Sequence, residues 1–198
     1  MKKAAMFGLD ARIALAIFGA LSVISGAALY SAIAKANATS LVQELREVGK
    51  AWEQYYLDTG QQLSFDSTDS SNGQFHRARV IDLVEDPGVK GWNGPYLSYS
   101  VVSNDKLEHY KYNFVYMFAF NNKNDWGSAE SYNNGYCAAG DECSIWVYIT
   151  NLTDYAPALH ESIDELVDGG DGSYDGNIKW TGNGSNIIYK VAPIKNRL

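Results

Sequence analysis

The sequence predicts an α+β fold in which one long N-terminal helix, half membrane-spanning and half amphipathic, precedes a strand-rich body. Three observations carry this. An uncharged apolar run extends from Ile13 to Ala34, a seam of Leu41, Leu45, Val48, Trp52 and Tyr55 succeeds it, and two aromatic and β-branched runs occupy Tyr112 to Phe120 and Ile145 to Ile149.

The run from Ile13 to Ala34 is flanked by Arg12 and Lys35. As a helix rising about 1.5 Å per residue it crosses a hydrocarbon core of roughly 30 Å. Lys2, Lys3 and Arg12 precede the span, so the positive-inside tendency keeps the N-terminus cytoplasmic and exports the chain beyond Lys35. The seam then recurs at alternating four- and three-residue steps, with Glu44, Arg46, Glu47 and Lys50 off it, which is the stripe of an amphipathic helix. Between the two segments the only weak helix formers are Asn37, Thr39 and Ser40, so one helix is expected to continue to about Asp58, where Thr59-Gly60 supplies a stop.

Gln61 to Gln74 is rich in Ser, Asp, Asn and Gly and reads as a loop, and His76 to Glu85 as a small helix closed by Asp86-Pro87-Gly88. The two aromatic runs read as strands. Between them lies a long loop, Asn121 to Cys143, which at that length is either functional or stapled. Leu159 to Val167 reads as a short helix, with brief strands after it around Ile178 and from Ile187 to Val191.

Composition narrows the function. A body of about 160 residues after the span fits one globular domain with a core of its own. The net charge is −7 and the isoelectric point about 4.9, with sixteen Lys and Arg scattered along the chain, which argues against nucleic acid as a partner. The two cysteines, Cys137 and Cys143, enclose a short turn-forming stretch and would close as a disulfide in an oxidising compartment; the alternative is two reduced thiols. His76, His109 and His160 are far apart and sit in no metal or nucleophile motif, and no enzyme is expected. The sequons at Asn37, Asn151 and Asn183 are short enough to arise by chance.

The most informative residue is Asp10, an acid at the edge of the apolar run. An ionised carboxylate at full membrane depth costs roughly 2.5–3.5 kcal/mol, so it calls for a partner. With the basic Lys2 and Lys3 before it and Ile17-Phe18-Gly19 after it, this N-terminal segment resembles the type IV prepilin signal shared by type IV pilins and the pseudopilins of type II secretion. In that family a prepilin peptidase removes a short basic leader and the fifth residue of the mature chain is acidic. A cut between Ala5 and Met6 makes Asp10 that fifth residue, whereas a cut after Gly8 supplies the usual glycine but puts Ile13 there. The chain departs from the pattern at Ala5, where glycine is usual, at Asp10, where Glu is more frequent, and at Arg12, an unusual cation so close to the membrane.

Two further stretches carry the resemblance. EVGKAWEQYYLDTG is similar to the pseudopilin half-helix that packs on an antiparallel sheet, and the GWNGPYL run, Gly91 to Leu97, is similar to the Trp-x-Gly-Pro-Tyr turn before the first strand of major pseudopilins. The resemblance therefore implies a pilin-like α+β fold divided into a leader (1–5), a transmembrane and filament-core helix (6–35) and an extracytoplasmic head (36–198). It also implies that Asp10 neutralises the free amine of Met6 in a neighbouring subunit, with Arg12 as a competing partner in the same helix; the alternative is an acid lying at the headgroup boundary beside Arg12.

Asp168, Asp171 and Asp175 project hard oxygens from a glycine-rich stretch that looks like a cation loop without EF-hand spacing. Major pseudopilins hold calcium in a C-terminal loop, so calcium is the one cofactor the resemblance suggests; solvated turns are the alternative. The expected function is a structural subunit of a pilus-like or type II secretion pseudopilus filament, held as a single-pass protein in a bacterial inner membrane before assembly. Its partners would be copies of itself and related pilins, prepilin peptidase, an inner-membrane assembly platform and membrane lipid. Secretion, adhesive or twitching, and DNA-uptake systems are not distinguished, although GWNGPYL leans toward a shaft subunit. The competing functions are a secreted binding protein, cleaved at Ala34-Lys35-Ala36 or Ala36-Asn37-Ala38, and a membrane-tethered domain.

Overall fold

The structure is a computed structural model that describes residues 4–65, 76–127, 132–152 and 159–194. Helix α1 runs unbroken from Ala4 to Thr59. The chain divides by contacts into two units, Met1–Asn37 and Ala38–Leu198, so α1 belongs to both. In the first unit the described side chains of the apolar run, such as Leu15, Phe18, Val23 and Leu29, are exposed, and the helix is long and apolar enough to cross a membrane by length and composition.

In the second unit Leu41, Leu45, Val48, Trp52 and Tyr55 are all buried, as the stripe requires, and Ala38 and Val42 widen it. Each of the larger side chains contributes about 1.5–3 kcal/mol by leaving water. They pack on a six-stranded sheet in the order β1-β2-β3-β4-β6-β5, every pairing antiparallel. The strands are β1 (Ser100–Ser103), β2 (Lys106–Glu108), β3 (Phe114–Asn121), β4 (Cys143–Ile149), β5 (Ile178–Thr181) and β6 (Asn186–Ile194), with α2 (Leu159–Val167) between β4 and β5. The fold is thus α+β, a long N-terminal helix packed on an antiparallel sheet.

Strand alternation sorts β3 and β4 onto two faces. Val115, Met117, Ile145, Val147 and Ile149 meet α1, while Tyr116, Phe118, Phe120, Trp146 and Tyr148 form an aromatic layer on the opposite face. The β3–β4 connection covers that second layer with Trp126, Tyr132 and Tyr136, which is why both central strands are buried on both sides. A disulfide between Cys137 and Cys143 staples the end of this connection.

The C-terminus of α1 is held by two devices. Gly60 adopts a φ of 68°, and its N–H donates to Tyr56 O at 2.8 Å, a left-handed cap. The Gly91 to Leu97 run then clasps the same end through Tyr96, whose Oη donates to Asp58 Oδ2 at 3.0 Å, while Trp92 Nε1 ties the run to the Val80–Leu83 turn by donating to Asp82 O at 2.9 Å. Gly91, at φ 91°, lies so close that a Cβ there would stand 2.3 Å from Asp58 O.

Two expectations change. The small helix expected across His76 to Glu85 is only a 3₁₀ turn, Val80–Leu83, because the backbone before it is used elsewhere: Ala78 N–H donates to Met117 O and Arg79 N–H to Ser64 O. The sheet also begins before the Tyr112 to Phe120 run, with the hairpin of β1 and β2.

Candidate functional site

Two sets of residues carry the chemistry that the sequence singles out. The first is the N-terminal helix. Asp10 and Arg12 are both exposed on α1, two residues apart, and the next charged residue is Lys35. Ala5 and Met6 lie in the first turns of the same helix.

The second is the acidic loop after α2. Helix α2 buries Leu159 and Ile163 on one face, and that face also carries Asp164, which is only 3 % exposed. Beyond the helix, Gly169, Gly170 and Gly172 all have positive φ, between 73° and 100°, so the chain curls back over the helix end. The curl brings Asp171 to Asp164 and Asp168, and one carboxylate oxygen from each of the three lies within 4.8 Å of the other two. Asp175 stands apart from this set, accepting a hydrogen bond from Asn124 Nδ2.

The three carboxylates have different surroundings. Asp168 anchors the loop to β5: its Oδ2 accepts from the N–H groups of Asn177 (2.7 Å) and Ile178 (2.6 Å), and its Oδ1 from Asn177 Nδ2 (3.0 Å). Asp164 Oδ2 accepts from Gly172 N–H at 3.1 Å, but its buried Oδ1 has no hydrogen-bond donor among the described residues. Burial first, and then the charges of Asp171 and Asp168, hold the Asp164 carboxyl above the usual carboxylate range. Asp171 is exposed at the loop surface.

This arrangement fits a hard divalent cation. The oxygens lie within 4.8 Å of one another, about twice a calcium–oxygen distance of roughly 2.4 Å, which is the separation of ligands grouped around one such ion. The orphaned Oδ1 of Asp164 points to the same conclusion, since a buried anionic oxygen without a donor is costly and a cation would satisfy it. Gly176 is required at the rim, because a Cβ there would stand 2.5 Å from Asp168 Oδ2 and 2.8 Å from Asp171 Oδ2.

The structure also gives roles to residues that no motif marked. Lys179, in β5, is buried to 1 % exposure; its Nζ donates to Lys123 O at 2.8 Å and to Tyr174 O, and lies 4.4 Å from the ring centre of Trp126. Burial pulls its ammonium down to about 8. One lysine thus ties the backbone of the acidic loop to that of the β3–β4 connection. His109 is likewise buried: its Nδ1 accepts from the N–H groups of Lys111 and Tyr112, so its Nε2 carries the proton and donates to Glu44 of α1 at 2.9 Å. His76 is buried and stacks on Tyr136, and burial pulls its imidazole down to about 4. His160 packs against Trp180. The three histidines thus sit in three separate surroundings. The chain matches no protein-family profile, no curated protein and no solved structure.

Proposed function

We propose that this chain is a structural subunit of a pilin-like filament, most similar to a major pseudopilin of type II secretion. It is inserted in the inner membrane through α1 and then polymerised through that same helix. The observation that carries the reading is the division of labour along α1: an exposed, uncharged run with a lone acid at its start, joined without a break to a buried stripe that organises an antiparallel head.

Assembly then exchanges one environment of α1 for another. While the apolar run lies in lipid, its side chains need no protein partner and its backbone is satisfied within the helix. Removal of residues 1–5 by a prepilin peptidase frees the Met6 amine and leaves Asp10 one helical turn away. Neither group is cheap to bury alone, but the carboxylate of one subunit and the ammonium of the next satisfy each other as the helix moves from lipid into a bundle of its own kind. Arg12 competes for Asp10 within the helix, and that competition weakens as the Met6 amine approaches. In the head, Asp164, Asp168 and Asp171 would hold calcium, whose charge would close the acidic loop onto α2 and β5 and fix the head surface.

Asp10→Ala tests this directly. The variant inserts in the membrane at the wild-type level but is excluded from filaments sheared from cells; wild-type incorporation would remove the pairing mechanism.

A further inference from the structure

The head carries a second feature that the filament reading does not use. A groove of about 910 Å³ lies between α1 and the segment from Tyr96 to Ser100, and Glu108 and Tyr110 also line it. Its charge is one-sided: Glu44, Glu47 and Glu108 line it, with Lys50 as the single opposing cation. Glu47 and Glu108 are exposed, and neither makes a side-chain hydrogen bond or ion pair among the described residues.

The aromatic part of the lining is held in place before any partner arrives. Tyr110 is 76 % exposed, yet its hydroxyl donates to Glu44 Oε1 at 2.9 Å and its ring stacks on His109 at 4.8 Å. His109 in turn is fixed by Glu44 and by two backbone N–H groups, and Tyr99 packs against its ring at 6.0 Å. A large aromatic exposed to solvent but locked at both ends gives up little conformational freedom on binding, which is the character of a recognition residue.

Charge and spacing select the kind of occupant. Among the described residues the only acidic set compact enough for a metal ion is the one around Asp164, so the groove's carboxylates suit a larger cation. Carboxylates beside tyrosine faces match guanidinium or ammonium groups, which pair with the acids while lying against the rings. A second copy of the chain, at a net charge of −7, is the poorer electrostatic match. We propose that this groove binds a basic segment of a different polypeptide, with arginine or lysine side chains seated between Glu47, Glu108 and the Tyr110 ring. The site lies on the head and does not depend on polymerisation.

The test is fluorescence anisotropy of a labelled peptide of alternating glycine and arginine, titrated with the full chain in nonionic detergent. A glycine–glutamate peptide is the control, and sedimentation of the same samples reports self-association. Saturable binding of the basic peptide alone is expected, weakening as salt rises from about 0.05 M to about 0.3 M. Glu47→Gln with Glu108→Gln should weaken it about fivefold, and Tyr110→Ala should weaken it further, whereas Glu53→Gln with Glu85→Gln, equal in charge but outside the groove, leaves it unchanged. No saturable binding, or equal losses in both double variants, overturns the proposal. A groove variant that changes self-association but not peptide binding overturns it in favour of a second copy.

Discussion

Replacing Asp164 by Asn separates two effects that a merely structural acid would not separate. In the absence of a cation the wild-type chain carries a buried Asp164 carboxylate oxygen with no donor among the described residues, in a residue whose carboxylate comes within 4.8 Å of those of Asp168 and Asp171. An unsatisfied buried polar atom costs about 1–3 kcal/mol, and more when charged. The amide is nearly isosteric, keeps an oxygen for Gly172 N–H, removes the charge and offers an N–H toward Asp171. The variant should therefore be more stable than wild type in a chelator by about 1–2 kcal/mol, which for a domain of this size raises the melting temperature by about 2–8 °C. Calcium reverses the order. At about one hundred times its dissociation constant a bound ion adds about 2.7 kcal/mol to the wild type, and the variant, lacking one of three anionic ligands, loses most of that gain. Scanning calorimetry of both proteins in chelator and in millimolar calcium reads all four melting points. A variant that melts below wild type in chelator, with no response of the wild type to calcium, would refute the cation reading of the loop.

Two further outcomes test the packing and the buried histidines. Leu45 is fully buried between α1 and the sheet, so Leu45→Ala should cost about 2–5 kcal/mol in denaturant unfolding, whereas truncation of the exposed Leu57 to Ala should cost less than about 0.5 kcal/mol; equal costs would mean that the helix does not organise the head. His76 is held to about 4 by burial, so the folded state binds fewer protons than the unfolded chain, and stability falls as pH drops from 6.5 toward 4. At pH 5 the loss assigned to His76 is about 2 kcal/mol relative to pH 7.5. His76→Phe keeps the ring against Tyr136 and should flatten that part of the profile; an unchanged profile would assign the acid sensitivity elsewhere.

Much of this architecture can be read from the chain because single periodicities govern it. The seam from Leu41 to Tyr55 has one burial face and therefore one spacing, and Leu159 and Ile163, four residues apart, share the buried face of α2 in the same way. The aromatic runs announced β3 and β4, but period alone did not say that both faces would be covered; that depends on Trp126, Tyr132 and Tyr136 arriving from a connection with no pattern of its own. The β1–β2 hairpin is too short and too polar to stand out.

Two of the three clustered acids were legible in the sequence and one was not. Asp168 and Asp171 sit on the glycine-rich stretch, whereas Asp164 reads as one more polar position of a helix until the positive-φ glycines fold the loop back onto it. Lys179 and His109 gave no signal, because a lone lysine in a strand and a lone histidine before one look like solvent-facing residues. Their roles come from partners distant in sequence, Lys123 and Glu44.

The filament account rests on which residue begins the mature chain. Intact-mass and N-terminal fragment measurement on protein isolated from its native membrane decides it. A chain beginning at Met6, with Asp10 fifth, is the expected result; a chain beginning near Thr39, or one that retains Met1, would exclude assembly through the Met6 amine.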